Sequence, residues 1–336
     1  MSTEQILTVE GLKKYFKTTR GIVKAVDDVS FSVMKNETFG LVGESGSGKS
    51  TVGHVIMGIY GPTAGSITFM GKDISMSVGK RPKELKKRLQ IVFQDPASSL
   101  NPRRTIAQIL ELPFKVHHLA PDGNYAEKAF EMMDLIELPR EFAARYPGEQ
   151  GGGEKQAVAI GRALATGPSF IVLDEPTSAL DVSIQAKIIN MLMRFQKEFD
   201  LSYLFITHNL SLMRNVAQRV GIMYLGKIVE LAGTPEFFSN PLHPYTKMLL
   251  SAVPVITPEE EALKPEKIMS TGEIAGALNV PSGCSFHPRC PFAMDICSKV
   301  VPSIIEYKRG HHVACHLYPS AGNSQKADSA NLGARH

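Results

Sequence analysis

The stretch Gly43–Thr51, GESGSGKST, decides the reading of this chain. It fits G-x-x-x-x-G-K-[S/T] and stands between a short apolar run, TFGLVG, and a segment of helical periodicity, TVGHVIMGIY. Strand, glycine-rich loop and helix is the context this pattern requires. Glycines let backbone N–H groups turn inward around phosphate oxygens, and the helix start adds the positive end of its dipole. Gly43, Glu44, Ser45, Gly46, Ser47, Gly48, Lys49, Ser50 and Thr51 are therefore expected to wrap a nucleoside triphosphate. Lys49 would reach the β- and γ-phosphates, and the Ser50 hydroxyl would bind Mg²⁺.

A second buried run, FIVLDE, ends in two carboxylates. Asp174 at the strand end is placed to hold Mg²⁺. Glu175, one residue on, can polarise an attacking water as a general base. Either acid alone would read as a solvated strand end; behind a phosphate loop they complete a site.

Around these motifs, QILTVE and VKAVDDVSFSV alternate as half-buried antiparallel strands, and GSITFMGKDI returns to strand character. From about Lys83 to Leu164 the patterns are helical, broken by PASSLNPRR and APDGN. SFIVLD and YLFITH are continuous apolar strands flanking the helix IQAKIINMLMRFQKEF, and RVGIMYLGKIVELA predicts a closing hairpin. The expected fold is α/β, a phosphate-loop NTPase core with an antiparallel β layer and an inserted helical part.

The order of phosphate loop, VFQDP, glycine-rich helix start, FIVLDEPTSALD and LFITHNL, over about residues 5–235, resembles the ATPase subunit of an ABC transporter. That resemblance implies roles for matching positions. Gln94 would sense the γ-phosphate and Mg²⁺ and couple to a membrane subunit, Asp181 would make the contact across an ATPase dimer, and His208 would bond the γ-phosphate. An aromatic near the N-terminus would stack on adenine, with Phe16 fitting L-x-x-x-F and Tyr15 beside it. NPRRTIAQIL, behind Gln94, would touch the membrane subunit, and the basic run GKRPKELKKRLQ reads as a solvated helix face.

The tail narrows the resemblance. NPLHPYTKMLLSAVP, then GCSFHPRCPFAMDIC and HHVACHLY, resemble the C-terminal extension of oligopeptide/dipeptide importer ATPases. This implies a second ATPase subunit, two transmembrane permease subunits, an extracytoplasmic substrate-binding protein and no nucleic-acid partner. Nickel and some sugar importers share the extension, so the cargo stays open. A soluble ABC ATPase acting on ribosomes or DNA would carry two cassettes or a long coiled-coil insertion, and neither pattern occurs here. The expected organisation is an ATPase domain at 1–235 with a helical subdomain at about 83–165, an extension at 236–320, and a small, polar, disordered tail at 321–336.

All four cysteines fall late, as C-x₅-C-x₆-C-x₁₇-C: Cys284, Cys290, Cys297 and Cys315. The spacing departs from the paired C-x₂₋₄-C of structural zinc. Four thiolates, Cys290 followed by Pro291, suit a [4Fe–4S] cluster, as the family resemblance also implies. His287, His311 and His312 keep zinc open, and reduced thiols remain a third reading.

Tyr146–Leu164, YPGEQGGGEKQAVAIGRAL, contains one departure. In the family, Leu-Ser-Gly-Gly-Gln follows Tyr-Pro-x-Glu and donates to the γ-phosphate of ATP on the partner ATPase. Here Gln150, Gly151, Gly152, Gly153 and Glu154 stand there, so a hydroxyl is missing and a carboxylate is added. The composite site using this segment is expected to be weakened, while this chain's own nucleotide motifs are complete. That asymmetry suits a heterodimer.

With 336 residues, 43% hydrophobic, 21% charged and a formal charge of +4, the chain fits one large domain plus a smaller one, with no demand for a polyanionic partner. No apolar run reaches bilayer length and the start lacks signal-peptide order, so a peripheral position at the cytoplasmic face of the membrane is expected.

Overall fold

The computed structural model describes residues 4–252 and 276–318. The expected disordered tail, and most of the connector before Asn279, lie outside these residues. The described residues divide into two compact units: 4–14, 30–39 and 50–207 form the first, and 15–29, 40–49, 208–252 and 276–318 the second.

Strand β1 (Gln5–Thr18) is followed by β2 (Gly21–Met34). In the first unit, the start of β1 pairs antiparallel with β4 (Ala64–Phe69), with Leu7 opposite Phe69 and Val9 opposite Ile67. β4 turns into the short β5 (Lys72–Asp73). Alternation puts Leu7, Val9, Ile67 and Phe69 inside, which is why period-two patterning reveals these strands. Strand β3 (Thr38–Val42) is buried at every residue. Its approach is fixed by the Tyr203 N–H donating to the Glu37 carbonyl (2.8 Å).

The parallel part of this unit is β6 (Leu89–Val92), β7 (Phe170–Asp174) and β8 (Ser202–Thr207), in register Leu89–Phe170–Ser202. β7 and β8 are buried throughout, so continuous apolar runs were required. β6 corrects the sequence reading, which has helical pattern from Lys83 to Leu164. Only α2 (Lys83–Arg88) is helical at that point, and LQIV becomes a strand because β7 offers it a ladder.

The inserted helices are α3 (Pro96–Ser99), α4 (Ile106–His117), α5 (Tyr125–Leu135) and α6 (Gly152–Leu164). α3 lies inside the stretch read as a break; the Asp95 carboxylate accepts from the Ala97 N–H and starts that turn. Thr105 and Gln108 form a capping box on α4. Ile109 and Leu110 of α4, Ala129 and Met133 of α5, and Ala157 and Ile160 of α6 are buried. Helix α7 (Val182–Glu198) follows β7. The basic run is not wholly a solvated face: Arg81 is buried, its guanidinium donating to the carbonyls of Ile56 (2.7 Å) and Ile74 (2.7 Å).

In the second unit, β9 (Arg219–Tyr224) and β10 (Lys227–Gly233) form the expected hairpin. After α8 (Leu210–Val216) and this hairpin come α9 (Thr234–Ser239) and α10 (Pro244–Ser251). The cysteine segment then sends β11 (Ile305–Lys308) and β12 (His311–Val313) back onto the sheet, β12 pairing with β10. Buried Glu230 ties this return together, accepting from the N–H groups of Leu242 (2.8 Å) and His243 (2.8 Å), with His311 Nε2 at 2.8 Å.

Candidate functional site

The loop Gly43–Thr51 leaves β3 and enters helix α1 (Lys49–Ile56). Gly48 sits at φ +103°, and a Cβ there would lie 2.0 Å from the Ala25 carbonyl oxygen, so no other residue fits. Ser45 and Gly46 form the exposed tip, while Ser47 and Lys49 are buried. Lys49 Nζ lies in the curl of the loop, donating to the carbonyls of Gly43 (2.8 Å) and Glu44 (2.9 Å). The Gly226 N–H holds the loop from the β9–β10 turn by donating to the Ser47 carbonyl (2.9 Å).

In the first unit, the Ser50 hydroxyl donates to Asp174 Oδ1 at 2.8 Å, bringing the two expected Mg²⁺ ligands together. His54 adds a contact the sequence reading missed: its Nε2 lies 3.5 Å from Asp174 Oδ2. Four residues after Ser50 on α1, it shares that helix face, and this spacing was the available signal. Gln94, beyond β6, donates through Nε2 to Glu175 Oε2 at 3.2 Å. Glu175 has φ +45°, a left-handed conformation costly for a residue with a Cβ, and its N–H is tied to the Ile206 carbonyl (2.9 Å). Backbone strain held by such ties concentrates at working residues.

Asp181 caps α7, accepting from the Ile184 N–H (2.9 Å) and the Ser183 hydroxyl (2.7 Å). The Ile184 bond, followed by that of Ser183, holds its carboxyl below the usual aspartate range. His208, in the second unit, is exposed directly after β8. Phe16 is half-buried on β1. Tyr15 is committed elsewhere: its hydroxyl donates to Asp27, Lys24 lies over its ring at 5.7 Å, and burial together with the Asp27 bond pushes its pKa up to about 12.

Gly151 is the N-cap of α6, without a side chain to cap it. Glu154 occupies the third helical position, where a carboxylate suits the dipole. It folds back so far that a Cβ on Gly151 would lie 2.5 Å from Glu154 Oε2. Packing explains the other two glycines: a Cβ on Gly152 would meet Leu180 at 3.0 Å, and one on Gly153 would meet Ile184 at 2.8 Å. Small residues here let α6 start against the Leu180–Ile184 segment.

The cysteines converge in the second unit. The Cys284 N–H donates to the Cys297 carbonyl (2.7 Å), and the Met294 N–H points at Cys297 Sγ (3.5 Å). Burial raises the thiol pKa of Cys284 and Cys290, and that of Cys315 to about 11. Backbone N–H groups of Phe286 and His287, of Phe292 and of Leu317 aim at the same three sulfurs and pull the other way. Yet among the described residues no group of three or more His, Cys, Asp or Glu side chains is set to hold a metal ion as it stands. Also among the described residues, no helix is long and apolar enough to cross a membrane.

The ABC transporter family profile matches residues 26–178, and that of the oligopeptide/dipeptide transporter C-terminal region matches residues 229–297. The oligopeptide transport ATP-binding protein AppF of Bacillus subtilis is 49% identical over 323 residues, 94% of this chain and 98% of AppF. The chain belongs to the oligopeptide-type ABC transporter ATPases. Among related ATPases, the putative oligopeptide transport ATP-binding protein YkfD of B. subtilis is 45% identical, covering 96% of this chain and 98% of its own. A putative peptide import ATP-binding protein of Brucella ovis is 41% identical, with coverages of 94% and 98%. The fold is that of solved ABC ATPase cassettes. The post-hydrolysis dimer of the cassette MJ0796 bound to ADP and Pi has a TM-score of 0.60 at 26% identity, covering 68% of this chain and 98% of that one. CbiO1 of Clostridium perfringens gives 0.61 at 25%, with coverages of 70% and 92%. As an ABC ATPase the chain uses ATP and Mg²⁺.

Proposed function

We propose that this ATPase hydrolyses Mg-ATP on Gly43–Thr51 to power the import of peptides. It would stand at the cytoplasmic face of the membrane, beneath two permease subunits served by an extracytoplasmic peptide-binding protein. The observation that carries the reading is the Ser50–Asp174 contact at 2.8 Å, with Glu175 next in the chain and already engaged by Gln94. Ser50, Asp174 and Gln94 fit Mg²⁺ as oxygen donors. When bound, the ion neutralises charge on the phosphate oxygens. Lys49 holds the β- and γ-phosphates, Glu175 takes a proton from the attacking water, Gln94 orients that carboxylate, and His208 hydrogen-bonds the γ-phosphate. Phe16, which fits the L-x-x-x-F spacing, would serve as the adenine platform, with Tyr15 as second choice. The peptide cargo rests on the names of the relatives. In the assembled complex, peptide-loaded binding protein should stimulate ATP hydrolysis several-fold; stimulation by nickel or a sugar, and not by peptide, overturns the cargo.

The ATPase partner is a second, different subunit. Glu154 lies where the family segment donates to a neighbour's γ-phosphate, and a missing charge-assisted hydrogen bond costs about 1.5–3 kcal/mol. Across the dimer, Asp181 would make its contact while still capping α7. Lys49→Ala here should abolish transport, and the matching change in the partner should be milder. Equal losses contradict the asymmetry.

Cys284, Cys290, Cys297 and Cys315 would hold a [4Fe–4S] cluster, whose chemistry here is that of a staple for a short segment. Backbone N–H groups are aimed at these sulfurs, as hydrogen bonds to the sulfurs of such clusters are. Anaerobically purified protein should carry about four irons per chain, the content of one cluster, and fewer after any cysteine substitution. Stoichiometric zinc without iron overturns this assignment.

A further inference from the structure

Glu44 is the acidic residue of the phosphate loop, and three groups hold it. Its N–H donates to the Tyr245 hydroxyl (3.1 Å), its carbonyl accepts from Lys49 Nζ (2.9 Å), and its carboxylate accepts two hydrogen bonds from the Arg289 guanidinium (3.0 and 3.2 Å). Tyr245 lies on α10, and Arg289 in the short turn His287–Arg289 that directly precedes Cys290. Both belong to the C-terminal extension, remote in sequence from the nucleotide motifs. The Arg289 side chain is only 7% exposed and that of Glu44 27%, so the pair is largely shielded from water.

The surroundings of Arg289 offer its charge that carboxylate, with the Tyr224 hydroxyl as a neutral hydrogen-bond partner. Its guanidinium lies 5.7 Å from the Phe286 ring centre and 6.0 Å from that of Tyr224, and Nη2 is 3.8 Å from Met248 Sδ. These neighbours pack around the cation without neutralising it, and Nε makes no hydrogen bond. The turn itself is set by the cysteine segment: the Arg289 N–H donates to the Phe286 carbonyl (3.0 Å) and the Cys290 N–H to that of His287 (3.3 Å).

A bare carboxylate in a loop that gathers a triphosphate would repel it, the more so in a partly dry site. A bidentate guanidinium both cancels that charge and fixes the group carrying it. We propose that Arg289 is a positioning residue for the phosphate loop: by neutralising and fixing Glu44, the C-terminal extension sets this chain's affinity for Mg-ATP. The inference rests on ATP binding at Gly43–Thr51 and is independent of the cargo and of any metal at the cysteines.

The test is Mg-ATP affinity of the full-length chain, measured by displacement of a fluorescent ATP analogue. Arg289→Gln should raise Kd about tenfold, equal to about 1.4 kcal/mol. Adding Glu44→Gln to that variant should bring Kd back to within about threefold of the wild type. A merely structural role for Arg289 gives no such rescue, because the second substitution restores no contact. Glu44→Gln alone should tighten ATP two- to fourfold, since the guanidinium is then left unmatched beside the phosphates. Arg289→Gln binding within twofold of the wild type, or a double variant as weak as the single one, overturns the proposal. If Arg289→Gln is not recovered folded, Glu44→Gln decides alone: tighter binding supports the proposal, and unchanged or weaker binding refutes it.

Discussion

Replacing Glu175 by glutamine separates the chemistry of this residue from its shape. Glutamine keeps an oxygen that can accept from Gln94 Nε2, now 3.2 Å from Glu175 Oε2, and carries the same Cβ at φ +45°, so the local strain is unchanged. Ser50, Asp174 and Lys49 keep their contacts, so Mg-ATP should still bind. What is lost is the charge that accepts a proton from the attacking water. Loss of a positioned general base costs about 10²–10⁴-fold, or about 3–5 kcal/mol of barrier at 1.36 kcal/mol per decade. Steady-state hydrolysis by the assembled complex at saturating Mg-ATP, with nucleotide binding measured in parallel, reads both quantities. Turnover above about a tenth of the wild type, with ATP bound normally, would show that Glu175 is not the base.

Two further predictions concern stability. His243 is fully buried, and burial lowers its pKa from 6.5 to about 4 against the opposing pull of Glu230. The unfolded chain therefore binds a proton that the folded chain refuses. The stability contributed is present above pH 6.5 and is lost as pH falls toward 4, by about 3 kcal/mol in all. Denaturant unfolding at several pH values should show this slope, and His243→Gln should flatten it; an unchanged slope would assign it to other groups. Gly153→Val should cost about 1–3 kcal/mol through its collision with Ile184. Gly151→Ala, which meets only the movable Glu154 carboxylate, should stay within about 0.5 kcal/mol. Equal shifts in Tm for these two variants would refute the packing account.

Strands that carry the nucleotide motifs are legible because each has a continuous apolar run at its centre: β3, β7 and β8 are buried at every residue. LQIV is not, since four residues after a basic helix satisfy either period, and only the ladder from Leu89 to Phe170 decides. Ser50, Asp174, Gln94 and Glu175 are readable as types at fixed spacing, and the fold brings them together in two pairs. Gly152 and Gly153 stand, by resemblance, in the segment that donates to a partner's γ-phosphate, whereas their neighbours Leu180 and Ile184 give a packing reason that no local pattern contains. Arg289 escapes for the same reason. In sequence it is one basic residue beside a cysteine, and its meaning comes from Glu44 at the other end of the chain.

The most direct measurement is peptide uptake into vesicles that contain the reconstituted complex, with ATP supplied on the side of the ATPase subunits. Wild-type complex should accumulate peptide with ATP and not with a non-hydrolysable analogue, and Lys49→Ala in this chain should abolish uptake. Uptake that persists with Lys49→Ala, or that proceeds equally with the analogue, would contradict the claim that hydrolysis on Gly43–Thr51 drives import.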